Sequence, residues 1–248
     1  MGVKKMTLTN DKVETSHQVI AMALDSDFSG YLKKSGAGLV PSTFFDVQVP
    51  ALGHQFPTLF YKGNLGLFQK TCVSVVGTRN PTEDGILRTR KVVSVLVDLG
   101  VVVISGLAKG VDTVAHKTAL ELGGLTIAVL GTPIHKIYPA ENKSLAIDIE
   151  KNGLIISSAL PHEETGRYLF PRRNRLMASL SLATIIIEAG ETSGVVHQAA
   201  ECLKQGRKLL LLKSLVDNKN LTWPEGFIKS GAQVVESPEH LKELLCPC

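Results

Sequence analysis

Short apolar runs alternate with amphipathic segments from residue 72 to the end of the chain. The clearest run covers residues 101–104, where four consecutive β-branched side chains favour a central parallel strand that is buried on both faces. The intervening segments repeat their apolar positions at helical spacing, as in 83–99, which Gly100 follows as a helix terminator. This alternation predicts an α/β protein with a doubly wound, mostly parallel sheet.

The apolar runs are the predicted strands, at residues 72–76, 101–105, 126–130, 154–157, 184–188, 208–212 and 233–235. The amphipathic segments are the predicted helices, at residues 83–99, 112–122, 141–151, 174–179, 193–204 and 237–245. The first 55 residues differ, because a polar start and one helical candidate at 16–24 precede several chain-breaking residues. We therefore expect residues 1–55 to form a small N-terminal appendage and residues 56–248 to form the main domain.

Parallel strands deliver the loops that follow them to one edge of the sheet, where ligands of such folds bind. Five loops with polar or glycine-rich sequences are expected at that edge, at residues 77–80, 105–110, 131–133, 157–161 and 188–194. A ligand is therefore expected at the carboxyl ends of the strands.

The loop at 105–110 has the features of a phosphate site. Gly106 and Gly110 allow tight turns, Lys109 adds a positive charge, and Asp112 is predicted as the N-cap of the next helix. Backbone amides at a helix N-terminus, together with its partial positive charge, favour an anion. The alternative is that the glycines only shape a tight turn between strand and helix.

Arginines supply a second signal on the same edge. Arg79 follows the first predicted strand, where its guanidinium suits a phosphate, although it could instead pair with Glu188 or Asp112. Segment 170–175 holds three arginines within four residues beside Phe170, and is predicted as a loop that opens a helix. Arginines there could follow a phosphate backbone while an aromatic face stacks a base, and the alternative is a core phenylalanine beside a solvated charged face.

The loop at 188–194 opens another predicted helix. Thr192 or Ser193 is its expected N-cap, and either hydroxyl could bind an oxyanion. Glu188 would repel a phosphate unless its carboxylate orients an arginine or contacts a sugar hydroxyl.

Composition narrows the function by exclusion. A net charge of +4 is too small by itself to indicate nucleic acid, and the four cysteines suit neither a disulfide framework nor a closed zinc site. The sequence has no Ser-His-Asp arrangement, phosphate-binding Walker motif or dinucleotide fingerprint, so it does not indicate hydrolysis, and we expect no cofactor or metal. It also has no membrane-length apolar segment or signal-peptide pattern, so a cytoplasmic location is expected.

An ordered series of motifs resembles the family of DNA-processing protein A, also called DprA or Smf. The motifs fall at residues 56–59, 61–64, 75–79, 105–112, 115–116, 119–120, 123–124, 127–131, 138–139, 142, 170–175, 188–189, 193–194 and 231–232. Each motif alone is weak, but their shared order and spacing across about three quarters of the chain is specific.

The resemblance implies an extended Rossmann-like domain that binds single-stranded DNA, forms homodimers and helps to load RecA recombinase during natural transformation, without catalysis. By matching positions, the implied DNA-binding residues are Arg79, Lys109, Phe170, Arg173 and Arg175, followed by Arg167 and Arg172. The implied phosphate-cradling loops supply Gly77, Ser105, Gly106, Gly110, Asn174, Ser193 and Gly194.

The sequence departs from the family pattern at 158–161 and 213–214, and no segment matches the helical N-terminal and winged-helix C-terminal domains that members commonly carry. A specialised or mobile-element relative is therefore one alternative. A nucleotide-binding sensor, or an enzyme like the nucleoside-monophosphate phosphoribohydrolases on a related fold, is another. A structural partner with a vestigial pocket is the third.

Overall fold

The computed structural model describes residues 26–40, 56, 58–164, 166 and 168–246, whose strands form a nine-stranded sheet. The strands are β1 (Gly38–Leu39), β2 (Phe60–Gly63), β3 (Cys72–Val76), β4 (Val102–Ser105), β5 (Thr126–Leu130), β6 (Leu154–Ser157), β7 (Ala183–Ile186), β8 (Lys208–Leu212) and β9 (Gln233–Val235). The α-helices are α1 (Ser26–Ser35), α2 (Glu83–Asp98), α3 (Val111–Glu121), α4 (Lys143–Asn152), α5 (Leu169–Leu180), α6 (Val195–Lys204), α7 (Lys213–Val216), α8 (Trp223–Lys229) and α9 (Pro238–Leu245). Two short 3-10 helices lie at Leu65–Gln69 and Ala140–Asn142.

The strand order is β1-β2-β6-β5-β4-β3-β7-β8-β9. All pairs from β6 to β9 are parallel, whereas β2 pairs antiparallel with both β1 and β6. This confirms the predicted α/β class with a doubly wound, mostly parallel sheet. Strand β1 belongs to the predicted appendage yet continues the sheet, and the predicted division at residue 55 stays a prediction.

The strand order reverses between β3 and β7. The chain builds β3, β4, β5 and β6 toward one side and then returns to place β7 against the other side of β3. The loops after β3 and β7 lead away from each other, which opens a crevice at the carboxyl ends of the two strands. The two loops touch at their starts, where the Thr78 amide donates to the Glu188 carbonyl at 2.7 Å.

Both faces of the sheet are buried, which explains why its strands are continuous apolar runs. On β3, Val73 and Val75 pack in the cluster that contains the apolar faces of α2 and α3. Cys72 and Val76 belong to the cluster on the opposite face, with residues of α5 and α6. Helices on both faces therefore position the loops at the carboxyl edge.

All seven predicted strands are confirmed, with ends within two residues of the predicted bounds. The sequence prediction missed β1, β2, α1, α7 and α8, while the predicted helix at 16–24 lies outside the described residues. Three local predictions are wrong: α5 begins at Leu169 instead of residue 174, the N-cap of α3 is Gly110 instead of Asp112, and the N-cap of α6 is Gly194 instead of Thr192 or Ser193. Within the described residues, no helix is long and apolar enough to cross a bilayer.

Glu188 fixes the start of α2 against the end of β7. Its two carboxylate oxygens accept hydrogen bonds from the Thr82 amide at 3.0 Å and the Thr82 hydroxyl at 2.7 Å. The Arg88 guanidinium donates to the same carboxylate at 3.3 Å. Thr82 is the N-cap of α2 and also accepts from the Gly85 amide. This network determines where the loop after β3 can lie.

We expect the change Glu188→Ala to lower the free energy of unfolding by about 2 kcal/mol, because a hydrogen-bonded, mostly buried carboxylate is lost and Arg88 keeps only its 3.9 Å contact with Asp84. Chemical denaturation measures this change. Glu225→Gln is the matched control, because that carboxylate forms an exposed pair with Lys229, and we expect a change within about 0.5 kcal/mol. An equal effect of the two substitutions would contradict the anchoring role of Glu188.

Candidate nucleic-acid interface

A cavity of about 540 Å³ lies at the reversal between β3 and β7. The loop after β3, the loop before α3, helix α5 and the loop before α6 form its walls. Seven of the residues predicted from the sequence line it: Gly77, Arg79, Phe170, Arg173, Asn174, Ser193 and Gly194. These seven residues therefore lie together at the carboxyl edge of the sheet, where the sequence predicts the ligand.

One face of helix α5 lines the cavity. Phe170, Arg173, Asn174 and Met177 are spaced by three and four residues, so they share one helix face, and all four line the cavity. The prediction that residues 170–175 form a loop is therefore wrong, because these residues occupy the first two turns of a helix. The helical spacing turns the neighbouring arginines away from that face.

Arg173 crosses directly over Gly106. A Cβ atom at Gly106 would overlap Nη1 of Arg173, so a larger residue there would displace the guanidinium from this position. The arginine side chain is 13% exposed and Nη1 lies 3.9 Å from Oδ2 of Asp112. Burial lowers the pKa of Arg173, the charge of Asp112 raises it, and the charge of Arg79 lowers it further. Arg173 is thus a buried cation that is close to a second cation.

Asp112 binds the loop amides that the sequence suggested for a phosphate. Its Oδ2 atom accepts from the amide of Gly106 at 3.1 Å and from the amide of Ala108 at 3.3 Å. Burial raises the pKa of Asp112, while Arg173 and these amides lower it. Because a carboxylate of the chain already satisfies the two amides, this part of the expected phosphate cradle is internal to the fold.

Two other members of the predicted cradle also have internal roles. The Ser105 hydroxyl is fully buried and donates to the Val75 carbonyl at 2.7 Å, so it does not face the cavity. Gly110 has a φ of 76°, and a Cβ atom there would meet the backbone of Thr78 and Arg79. The tight-turn alternative therefore describes the loop between β4 and α3 better than the phosphate interpretation does.

Three of the other predicted cations bind carboxylates outside the cavity. Lys109 Nζ lies 2.7 Å from Oε1 of Glu141, and both side chains are exposed. Arg172 forms a 2.6 Å contact with Glu163. Arg175 Nε lies 3.5 Å from Glu201 Oε1. The remaining cation, Arg167, lies outside the described residues.

Arg79 is exposed, lines the cavity and has no hydrogen-bond or ion-pair partner among the described residues. Both carboxylates that the sequence offered as its partners are bound elsewhere. Glu188 binds Thr82 and Arg88, and Asp112 lies against Arg173. The Arg79 guanidinium is therefore available to an anionic ligand.

Phe170 has one part of its ring against the fold and another part on the cavity. A Cβ atom at Gly131 would lie 2.8 Å from Cδ1 of Phe170, which shows how closely the ring covers that glycine. The side chain is half-buried and lines the cavity. It can therefore stack a flat ligand without leaving its packed position.

The loop before α6 contributes a helix N-terminus. Gly194 is the N-cap of α6, and the Ser193 hydroxyl accepts from the Val195 amide at 3.3 Å. The Glu191 carboxylate in this loop is turned toward Thr222 and accepts a hydrogen bond from the Thr222 amide at 2.9 Å. The positive end of the helix dipole is thus free of a competing carboxylate at this point.

Gln198 is a cavity-lining residue that the sequence analysis missed. It lies in the first turn of α6 and is 2% exposed. Neither amide atom of its side chain has a hydrogen-bond partner within the described part of the chain. The sequence could have indicated Gln198, because it follows Gly194 by four residues and this spacing places both positions on the same helix face.

The similarity of this chain to known proteins covers the part that contains the sheet and the cavity. Residues 42–245 match the family described as DNA recombination-mediator protein A. Protein Smf of Escherichia coli is 34% identical over 218 residues, which are 87% of this chain and 58% of that protein. DNA processing protein DprA of Streptococcus pneumoniae is 37% identical over 179 residues, which are 72% of this chain and 63% of that protein. The chain thus spans less than two thirds of the length of these two curated relatives.

A solved structure has the same architecture. It is that of DNA processing protein A from Helicobacter pylori, described for its single-stranded DNA binding mode, with 27% identity and a TM-score of 0.71. The similarity covers 84% of this chain and 95% of that one. Sequence and fold agree, and the chain belongs to the family of DNA recombination-mediator protein A.

Proposed function

We propose that this chain binds single-stranded DNA through the cavity at the reversal between β3 and β7. The convergence of two guanidinium groups, an aromatic ring and a helix N-terminus on one cavity carries the proposal. The solved Helicobacter pylori relative is described as binding single-stranded DNA, which supports the same ligand class here.

Each cavity residue has a distinct role in this proposal. Arg79 and the positive end of the α6 dipole bind backbone phosphates at the mouth of the cavity. Arg173 adds a fixed charge from below, and Phe170 stacks a base for about 1 to 3 kcal/mol without selecting its identity. The ligand is thereby held mainly by charge and stacking, so sequence preference is weak.

The remaining predicted contacts belong to the outer path of the strand. Lys109, Arg172 and Arg175 each have a carboxylate partner that a phosphate must displace before it can bind. Such exchange gives little net energy, because one ion pair replaces another. We therefore assign these residues, with Arg167, a secondary role in affinity.

The proposed role is that of a binding protein in the cytoplasm that protects the strand, forms a homodimer and helps to load RecA recombinase. The contacts of Asp112, which lines the cavity, and of Glu188, which follows β7, support binding without catalysis. Asp112 is buried under Arg173, and Glu188 is occupied by Thr82 and Arg88. Burial lowers the pKa of His116 to about 3, so this histidine beside Thr126 stays neutral.

A nucleotide is the second candidate ligand, because a cavity of about 540 Å³ is large enough for one. A nucleotide sensor would bind free mononucleotides as tightly as oligonucleotides, and a phosphoribohydrolase would release free base from them. Calorimetric titration and chromatography of the reaction mixture separate these outcomes from strand binding.

We expect Arg79→Ala to weaken binding of a labelled single-stranded oligonucleotide about tenfold and to reduce the salt slope by roughly 0.7, the share of one phosphate on a single strand. Arg173→Lys keeps the charge over Gly106 and loses the guanidinium geometry, so a smaller loss with an unchanged salt slope is expected. Fluorescence anisotropy across a salt series measures both quantities.

The matched control for these variants is Arg90→Ala, which removes the same charge from an exposed pair with Glu121 on α2. Equal losses for Arg79→Ala and Arg90→Ala would mean that only overall charge matters, and the cavity assignment would be wrong.

We expect the purified chain to behave as a dimer in size-exclusion chromatography with light scattering. We also expect it to shorten the lag in RecA ATP hydrolysis on single-stranded DNA that is coated with single-strand-binding protein. A monomer would overturn the dimer proposal, and an unchanged lag would overturn the loading role without affecting the proposed strand binding.

A further inference from the structure

A second, smaller cavity lies on the face of the sheet that carries α2 and α9. It has a volume of about 240 Å³ and lies between these two helices, at the carboxyl ends of β8 and β9. We call it the α2–α9 cleft; its lining residues fall within 88–95, 212–214 and 235–241 and differ from those of the cavity at β3 and β7. Lys213 and Ser214, where the sequence departs from the family pattern, belong to this cleft. The proposed DNA binding therefore does not account for it.

The floor of the α2–α9 cleft is apolar. It is formed by side chains of α2, of the last residues of β8 and β9, and of α9, namely Val92, Val95, Leu212, Val235 and Leu241. All five belong to one core cluster, so the cleft exposes an end of the hydrophobic core. They offer no hydrogen-bonding group, and a polar nucleobase edge placed there would lose its water without compensation. The floor therefore suits a hydrocarbon side chain.

The rim of the cleft is cationic. Arg88 and Lys91 line it from α2 and Lys213 from the start of α7, whereas Glu236 is the one lining carboxylate among the described residues. Lys91 is exposed and has neither a hydrogen bond nor an ion pair within the described part of the chain, although Glu239 lies within reach of its charge. The Arg88 guanidinium binds Glu188, but its Nε atom is buried without a hydrogen-bond partner there.

Lys213 is the third rim cation, and its existing partners leave it accessible. Its Nζ atom lies 2.9 Å from Asp217 in an exposed pair between neighbouring turns, which contributes little stability, and the charge of Glu236 also acts on it. The rim thus keeps an excess of positive charge over an apolar floor. A ligand that complements both parts carries carboxylates next to an apolar group.

The cleft continues into a groove between α2, α3 and α9. Lys91, Val95 and Pro238 line both, so the two spaces are contiguous. The groove has a volume of about 540 Å³, and the half-exposed Leu122 lies on its wall. Its positive and negative side chains are equal in number: Arg90, Lys91, Lys242, Asp98, Glu121 and Glu239. This continuation favours an extended peptide over a small anion, because the cleft alone is smaller than the roughly 300 Å³ at which small-molecule sites begin.

We infer that the α2–α9 cleft docks an acidic segment of a partner protein. One aliphatic or aromatic side chain of that segment lies on the apolar floor, and its neighbouring carboxylates lie beside Arg88, Lys91 and Lys213. The rest of the segment follows the groove toward α3. This site is separate from the proposed DNA-binding cavity, so the chain can hold a partner protein and a strand at the same time.

The test compares three labelled peptides of equal length by fluorescence anisotropy with the full chain. The first has aspartates and glutamates around one leucine, the second has alanine in place of that leucine, and the third has lysines in place of the acidic residues. We expect the first peptide to bind about tenfold more tightly than the second, because only leucine fills the floor. We expect the third peptide not to bind, because its charges match those of the rim.

Two variants at exposed positions test the location. Lys91→Glu reverses the charge of the unpaired rim lysine, and Ser214→Trp places a ring at the mouth of the cleft. We expect each to weaken binding of the first peptide about fivefold or more and to leave oligonucleotide binding within about twofold of wild type. Lys151→Glu and Ser144→Trp are the matched controls, because both residues are exposed on α4 and line neither the cleft nor the groove.

An acidic peptide could instead occupy the DNA-binding cavity, and competition separates the two sites. We expect a saturating single-stranded oligonucleotide, and the change Arg79→Ala, to leave peptide binding unchanged. Displacement by the oligonucleotide together with loss of binding in Arg79→Ala would overturn the inference.

The other occupants of the cleft give different results. Octanoate that binds as tightly as the first peptide would assign the cleft to a small amphiphilic anion, and a dimer that becomes a monomer in Lys91→Glu would assign it to a second copy of the chain. Either result, or equal binding of the first peptide to wild type and both cleft variants, would overturn the inference. Failure of the wild-type chain to bind oligonucleotides would overturn the proposed function alone.

Discussion

The buried pair between Arg173 and Asp112 connects the elements around the cavity. Asp112 belongs to α3 and holds the amides of the loop before that helix, while Arg173 belongs to α5 and lies over the same loop. Each charge would be costly to bury alone, so the two helices and the loop must be placed together. The position of α5 then decides that Phe170 and Asn174 face the cavity as well.

The same pair determines which cation remains available. With Asp112 against Arg173 and Glu188 against Thr82 and Arg88, Arg79 has no carboxylate partner within the described residues. Most of the other basic residues of the predicted site are neutralised locally, which fits a chain whose net charge is only +4. In the proposed binding, the electrostatic contribution is therefore concentrated in a small part of the surface and does not come from a broad basic face.

Sequence patterns predicted the parts of the structure that depend on burial. The strands of the parallel sheet are apolar on both faces, so their positions could be predicted closely, whereas β1 and β2 are short strands of mixed composition on the antiparallel side. The segment 170–175 was predicted as a loop that opens a helix, but Pro171 lies in the first helical turn, where a proline loses no hydrogen bond, so α5 begins before it. The sequence also could not show that an internal carboxylate occupies the loop amides, or that Gln198 is buried without a partner, because both depend on contacts between distant segments.

Gly106 has a thermodynamic consequence beyond the room it leaves. By allowing Arg173 to lie across the loop, it holds that guanidinium close enough to Arg79 for the second charge to lower the pKa of the first. The ligand-free fold thus retains a repulsion between like charges. Under the proposed function, a bound strand would relieve this repulsion and so stabilise the native state, in addition to the ordinary effect of mass action.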